Sequence, residues 1–140
     1  MAASTRDTKV WQEAIGLAGD VIRVARQATR RETKAFTDAM MLTASAVASA
    51  IAEAPTRPSA PEERECYARA RRSLVAVETQ LAIARVSGII PSSVHAQLAS
   101  RVASLSQRVS NHLNHVERAT VAAVAERSPT VALPLLTDGT

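Results

Sequence analysis

The chain has 140 residues, a formal net charge of +4 and a sequence pI of about 10.2, and 46% of its residues are hydrophobic. Its length allows one domain with a modest core, and its hydrophobic content excludes general disorder. Aromatic residues make up only 2% of the chain and glycines number four, so the composition predicts an all-α protein with an aliphatic core. The basic balance favours an acidic partner, and the single cysteine, Cys66, excludes an internal disulfide.

The termini carry no export or membrane signal of the usual kind. The first residues lack an apolar core segment, and the longest uncharged run, 39–52, is too short to span a bilayer. We therefore expect a cytoplasmic protein without a membrane segment. Residues 1–7 and 128–140 are predicted to be flexible, and 8–127 to form one helical domain.

The first helix is predicted from about Thr8 to Gln27, because apolar residues recur at three- and four-residue intervals from Val10 onward. Gly16 and Gly19 lie inside this pattern, where they lower helix propensity and allow a neighbouring helix to come close.

The second helix is predicted to follow a capping box of Thr29 and Glu32 and to end near Ala54. Its body is apolar or small on almost every side, which is typical of a helix buried all round. Three other helices can hardly enclose it, so the pattern predicts a homo-oligomer. Candidate interface residues on the second and third helices are Ala44, Ala48, Ile51, Val75 and Ile83.

The third helix has clear signals at both ends. Ser59 and Glu62 form a capping box, while Gly88 and Pro91 provide a stop. Between them run two apolar stripes, which need two sets of neighbours. The fourth helix is predicted from Ser92 or Ser93 to about Glu126. Four helices with short links predict an antiparallel up-down bundle.

Three blocks of this sequence resemble a known family. They are KVWQEAIGLAGDVIRVAR at 9–26, IAEA at 51–54 and ARRSLVAVETQLAIARVSGII at 70–90. The chain is similar in them to the four-helix-bundle proteins encoded in intervening sequences of bacterial large-subunit ribosomal RNA genes. The resemblance implies an up-down bundle that assembles into a ring of five. A more distant similarity is to the accessory variability determinant of diversity-generating retroelements, which implies a reverse transcriptase and nucleic acid as partners.

The chain departs from the family pattern at several positions. Met41 and Leu42 stand where the family usually has two arginines, and Ala50 stands where it has asparagine. Ala54 replaces a glycine that ends the second helix, so a different ending is expected there. Glu78 stands where the retroelement relatives tend to have arginine, which favours the intervening-sequence branch.

No group of residues predicts catalysis, a metal or a cofactor. His112 and His115 are three residues apart, but no carboxylate stands at a spacing that would complete a metal site. Glu53 and Glu78 lie in apolar segments, and we expect each to pair with an arginine such as Arg71 or Arg72 rather than to act as an acid–base pair.

The arginines support two hypotheses. One is a surface that contacts nucleic-acid phosphates with little dependence on sequence, since a single Trp, Tyr and Phe give no stacking platform. The other is a solvated face paired with the chain's own carboxylates, on a ring that serves as a scaffold for another protein. The candidate nucleic-acid-binding residues are Arg64, Arg69, Arg71, Arg72 and Arg85 on the third helix, with Arg23, Arg26 and Arg30 near the end of the first.

Overall fold

The computed structural model describes residues 8–127, and within that range the chain forms four α-helices and no strand. This confirms the all-α prediction. The predictions for residues 1–7 and 128–140 concern segments outside the described range. The helices are α1 (Lys9–Ala28), α2 (Lys34–Glu53), α3 (Ala60–Val86) and α4 (Ser92–Arg127), with short 3₁₀ turns at Arg31–Thr33 and Ala54–Thr56.

α3 runs in the opposite direction to α2 and to α4. Contacts between them join late residues of one helix to early residues of the next, as expected for short connections. The same holds for α1 and α4, which also touch. The contacts are Gln80 with Thr43 and Arg69 with Glu53 between α3 and α2, Arg64 with Glu117 and Tyr67 with His112 between α3 and α4, and Arg101 with Asp20 and Arg108 with Glu13 between α4 and α1.

The core is aliphatic and contains many small residues. Leu74 and Leu81 are fully buried, and so are Ala54, Ala70 and Ala84. Alanine in such positions lets helix axes approach closely, because little side chain separates the backbones. The aliphatic core predicted from the low aromatic content is thus present, and it is shared by all four helices.

The α1–α2 connection differs from the prediction. Thr29 does not cap α2, since its hydroxyl lies 2.7 Å from the hydroxyl of the fully buried Thr37. The hydrogen bond that opens the 3₁₀ turn instead runs from the Arg30 backbone N–H to the Thr33 hydroxyl, at 2.9 Å. Burial of Thr37 requires a polar partner for its hydroxyl, and Thr29 supplies one. The Thr29–Glu32 capping box was therefore wrong.

The ends of α3 follow the sequence signals. The Ser59 hydroxyl accepts a hydrogen bond from the Glu62 backbone N–H at 3.3 Å. At the other end, the Gly88 N–H donates to the Arg85 carbonyl and the Ile89 N–H to the Ala84 carbonyl, at 3.1 and 2.8 Å. This is the Schellman arrangement, and it places Gly88 at φ +81°.

Two glycine substitutions should change stability in opposite directions. Gly88→Ala forces a Cβ into left-handed backbone and should lower the free energy of unfolding by about 1–2 kcal/mol. Gly19 lies within α1, and a Cβ added there would meet no atom of another element within 4 Å. Gly19→Ala should therefore raise the free energy of unfolding by about 0.5–1 kcal/mol. Urea unfolding followed by circular dichroism measures both, and equal effects of the two substitutions would contradict this assignment.

Candidate functional site

Three of the five candidate arginines on α3 are paired with carboxylates. Arg64 Nε donates to Glu117 on α4 at 2.6 Å, and Arg72 donates to Glu65 at 2.7 Å. Arg69 pairs with Glu53 on α2. The side chains of these pairs are 40–62% exposed, so each pair stabilises the fold only slightly. Their effect on function is larger, because a paired guanidinium offers less charge to an external phosphate.

Arg23 near the end of α1 is paired as well. It shares the carboxylate of Asp20 with Arg101 from α4. Hydrogen bonds from Arg101 and then Arg23 hold the pKa of Asp20 below its ordinary value of 3.8. Asp20 therefore stays ionised over the physiological range and ties α1 to α4 through a single carboxylate.

Four arginines lie together at one end of the molecule. This end is formed by the C-termini of α1 and α3 and the N-termini of α2 and α4. Among the described residues, Arg26, Arg31 and Arg85 take part in no ion pair, and the Arg30 guanidinium donates to backbone carbonyls. We call Arg26, Arg30, Arg31 and Arg85 the basic end. Arg71, farther along α3, also lacks such a partner in the part of the chain described.

The candidate interface residues separate into two groups. Ala44, Ala48 and Ile51 are buried inside the chain's own core, at 3%, 6% and 1% exposure, so they are not available on its surface. Their spacing of four and then three residues marks the inner face of α2, which the neighbouring helices of the same chain cover. Val75 and Ile83 on α3 remain exposed, at 60% and 49%.

An apolar surface extends from these two residues over the outside of α2 and α3. Leu42 and Val86 are exposed at 74% and 76%. The hydrogen bond from Gln80 to Thr43, at 3.1 Å, places Leu42 level with Leu81 and within one helical turn of Ile83 along the helices. We call Leu42, Val75, Ile83 and Val86 the outer face. The second stripe predicted from the sequence of α3 contains Val75, Ile83 and Val86, whereas Leu42 was not predicted as a surface residue.

The segment Arg31–Thr56, which contains α2, is long and apolar enough to cross a membrane by length and composition. The central helix of a soluble helical domain has the same properties. In this structure one side of α2, including Met40 and Val47, is buried against the other helices. That burial accounts for the apolar residues on the inner side of α2.

The two glutamates considered as an acid–base pair, Glu53 and Glu78, lie apart in the structure. Glu53 forms ion pairs with Arg69 and Arg57 rather than with the predicted Arg71 or Arg72. Glu78 is exposed, and it lies about 13 Å farther along α3 than Arg69 does. Within residues 8–127, no three His, Cys, Asp or Glu side chains are grouped so that they could hold a metal ion.

Cys66 and His112 are packed side chains. Burial raises the pKa of the Cys66 thiol, as does the Glu53 carboxylate, so the thiol stays protonated. The His112 ring stacks on Tyr67 with ring centroids 5.3 Å apart. Burial and then the charge of His115 lower the pKa of His112 below its ordinary value of 6.5, against a smaller opposing effect of Glu63.

The fold and its surfaces define a helical protein with an apolar outer face and a basic end. A sequence model of the 23S rRNA-intervening sequence protein family matches residues 6–111. The chain therefore belongs to this family, as the three sequence blocks predicted. The matched range ends within α4, so the last part of that helix extends beyond it. A search of curated proteins found no match.

Stability should depend on pH through His112. Because its pKa is lowered in the folded state, the unfolded chain takes up a proton first as the pH falls below about 6.5. The free energy of unfolding should fall from pH 7 until the pH reaches the folded-state pKa, and then level off. His112→Phe keeps an aromatic ring on Tyr67 and should remove this dependence, whereas His95→Gln should preserve it. Urea midpoints between pH 5 and 7.5 measure the effect, and an unchanged pH profile in His112→Phe would contradict it.

Proposed function

We propose that the protein is a non-catalytic, homo-oligomeric accessory factor that binds the backbone of RNA or DNA through its basic end. The observation that carries this proposal is the distribution of the arginines. Those along α3 are largely paired with carboxylates, whereas those of the basic end face solvent without such partners among the described residues. Free guanidinium groups attract phosphates and release their counterions, which gives binding with little sequence preference.

Oligomerisation would raise the positive electrostatic potential of the basic end. A symmetric ring repeats each arginine of the basic end once per chain and arranges these groups around a common axis. Their potentials add, so a ring attracts a polyanion much more strongly than one chain does. This makes ribosomal RNA a candidate partner, given the family to which the chain belongs. The distant resemblance to the retroelement determinant makes a reverse transcriptase a further candidate.

The outer face supports assembly of an antiparallel up-down bundle into a ring, with five chains as the family resemblance implies. Its four exposed aliphatic side chains leave apolar area in water that a second copy would cover. Leu42 stands where the family pattern has an arginine, so in this chain apolar surface replaces charge. We place the assembly in the cytoplasm, with α2 as a core helix.

A scaffold ring that binds only another protein is the second candidate function. The pairing of Arg64, Arg69 and Arg72 with carboxylates favours it, because a self-neutralised surface is typical of a solvated face. The two functions differ in the role of the basic end: phosphate contact in the first, and solubility in the second.

Assembly should fail when charge is placed on the outer face. Val75→Arg combined with Ile83→Arg puts two cations where both side chains are exposed in the single chain. The fold should survive, while native mass spectrometry at low micromolar concentration should show a monomer in place of one discrete oligomer. Val121→Arg, at a residue 67% exposed on the last turns of α4, is the control and should leave the oligomer intact. An oligomer in the double variant would place the interface elsewhere.

Nucleic-acid binding should depend on the basic end. Arg26→Gln, Arg31→Gln and Arg85→Gln together remove three guanidinium groups that lack carboxylate partners in the described structure. Filter binding of a 20-nucleotide RNA across a salt series should show weaker binding and a flatter slope of log K against log salt. Each lost phosphate contact should reduce that slope by about 0.7 for a single strand.

The matched control removes the same charge from paired arginines. Arg64→Gln, Arg69→Gln and Arg72→Gln should lower affinity through net charge alone and keep most of the salt slope. Equal slopes for the two triple variants would remove the basic end from the binding surface. Absence of RNA binding by the unaltered protein at about 50 mM salt, where surface electrostatics are strongest, would establish the scaffold function instead.

A further inference from the structure

An apolar groove lies between α1 and α2 at the surface of the chain, with a volume of about 400 Å³. Trp11, Ile15 and Ile22 of α1 form one wall, and their spacing of four and then seven residues places them on one face of that helix. Ile15 is 45% exposed, and Trp11 and Ile22 are half-buried. The wall is about 16 Å long, from the rise of about 1.5 Å per helical residue. A single chain thus leaves a row of large apolar side chains partly in water.

The opposite wall of this groove consists of small residues of α2. Ser45 and Ser49 are exposed, and Ala52 is half-buried. The Ser45 hydroxyl donates to the Met41 carbonyl at 2.9 Å, so it is already hydrogen-bonded within its own helix and can be covered without losing a partner. A Cβ added at Gly19, between the walls, would meet no atom of another element within 4 Å. The groove therefore has room for side chains from another helix.

The groove is uncharged and is not closed by the chain's own core. Each of its lining residues in the described range is uncharged, and no ion pair between described residues joins α1 to α2. Ala18 and Ala48 are buried at its base, at 7% and 6% exposure, whereas the walls remain accessible. An apolar surface is therefore the occupant that would gain most from this groove.

We propose that the groove receives the outer face of a neighbouring copy of the chain. Val75 and Ile83 of that face protrude into solvent, at 60% and 49% exposure, whereas the groove is recessed. Ridges of side chains on one helix pack into the groove between others, so the two surfaces are complementary in shape and in polarity. This inference rests on the homo-oligomer proposed above and adds the surface that receives the outer face.

The other arrangement of two copies would leave more apolar surface in water. If the outer face packed on a second outer face about a two-fold axis, Trp11, Ile15 and Ile22 would stay exposed in both chains. A head-to-tail contact covers both surfaces at every interface and repeats until the ring closes. The two surfaces also meet on α2, because Leu42 of the outer face lies three residues before Ser45 of the groove.

The α1–α2 side of the chain is large enough for such a contact. Both helices have 20 residues, so each is about 30 Å long, and two packed helices are roughly 20 Å wide. The flat area is then about 600 Å², and the accessible surface of a ridged face is larger. A stable interface buries about 800 Å² on each partner, which is within reach of this side.

Two variants that each remove one of the surfaces test the proposal. The outer-face variant is Val75→Arg with Ile83→Arg. The groove variant is Ser45→Arg with Ser49→Arg, at exposed positions where the fold should survive. In native mass spectrometry at low micromolar concentration, each variant alone should be a monomer. Should the groove variant lose its helical circular dichroism, Ile15→Arg on the opposite wall replaces it.

An equimolar mixture of the two variants should form a species of exactly two chains. The intact groove of one then holds the intact outer face of the other, and neither chain offers a second contact. The mixture is examined at a concentration well above that of the single variants, because one contact lacks the gain from ring closure. Ala103→Arg, at an exposed residue of α4 outside both surfaces, is the matched control and should assemble as the unaltered protein does.

Trp11 reports occupation of the groove directly, because it is the single tryptophan of the chain. Its emission should lie at shorter wavelength and resist acrylamide quenching in the unaltered oligomer, compared with the outer-face variant alone. A groove variant that also carries Trp11→Phe contributes no tryptophan signal. Adding it to the outer-face variant should shift the emission of that variant back toward the value of the oligomer.

The outcomes separate this inference from the oligomer on which it rests. If the outer-face variant still assembles, the interface proposed at the outer face is wrong, and its docking in the groove is wrong with it. If the outer-face variant is a monomer while the groove variant forms an oligomer, the outer face stands and the groove is not its receptor. A mixture that yields neither two-chain species nor emission shift would also overturn the proposal.

Discussion

The structure depends on burying small aliphatic side chains on helices that are apolar on more than one side. A core built from alanine, valine and leucine releases little apolar area per residue, so helices must approach closely to bury enough of it. Each helix can turn only one face to that core. For α2 and α3 the remaining apolar residues lie outside, and the free energy of leaving them in water is what a neighbouring chain would recover.

The positions of the ion pairs follow from the packing of the helices. Carboxylates and arginines meet along the seams between antiparallel helices, as Arg64 meets Glu117 and Arg69 meets Glu53. At the end formed by the α1–α2 and α3–α4 connections, Arg26, Arg31 and Arg85 take part in no ion pair among the described residues. The positive charge that the chain carries overall is therefore least compensated there, which is why that end, and not the length of α3, is the candidate contact for phosphates.

Local signals predicted the helices well, because they act within a few residues. Ser59 and Gly88 set the ends of α3 through hydrogen bonds that their own neighbours supply. The capping box predicted at Thr29 was wrong because the Thr29 hydroxyl hydrogen-bonds to the buried Thr37, eight positions later. The candidate site was harder to predict. The sequence identified Arg64, Arg71 and Arg85 as candidates on the third helix, but whether each is paired depends on side chains of α2 and α4 that are distant in the sequence.

The central claim is that one chain leaves α2 and α3 half covered and that a second copy completes them. Sedimentation equilibrium of the unaltered protein tests this most directly, because the mass needs no assumption about shape. One chain has a mass of 14.9 kDa. The account predicts a single species at an integral multiple of that mass, near five chains, that persists on dilution to low micromolar concentration. A folded species of 14.9 kDa across the same concentrations would contradict it.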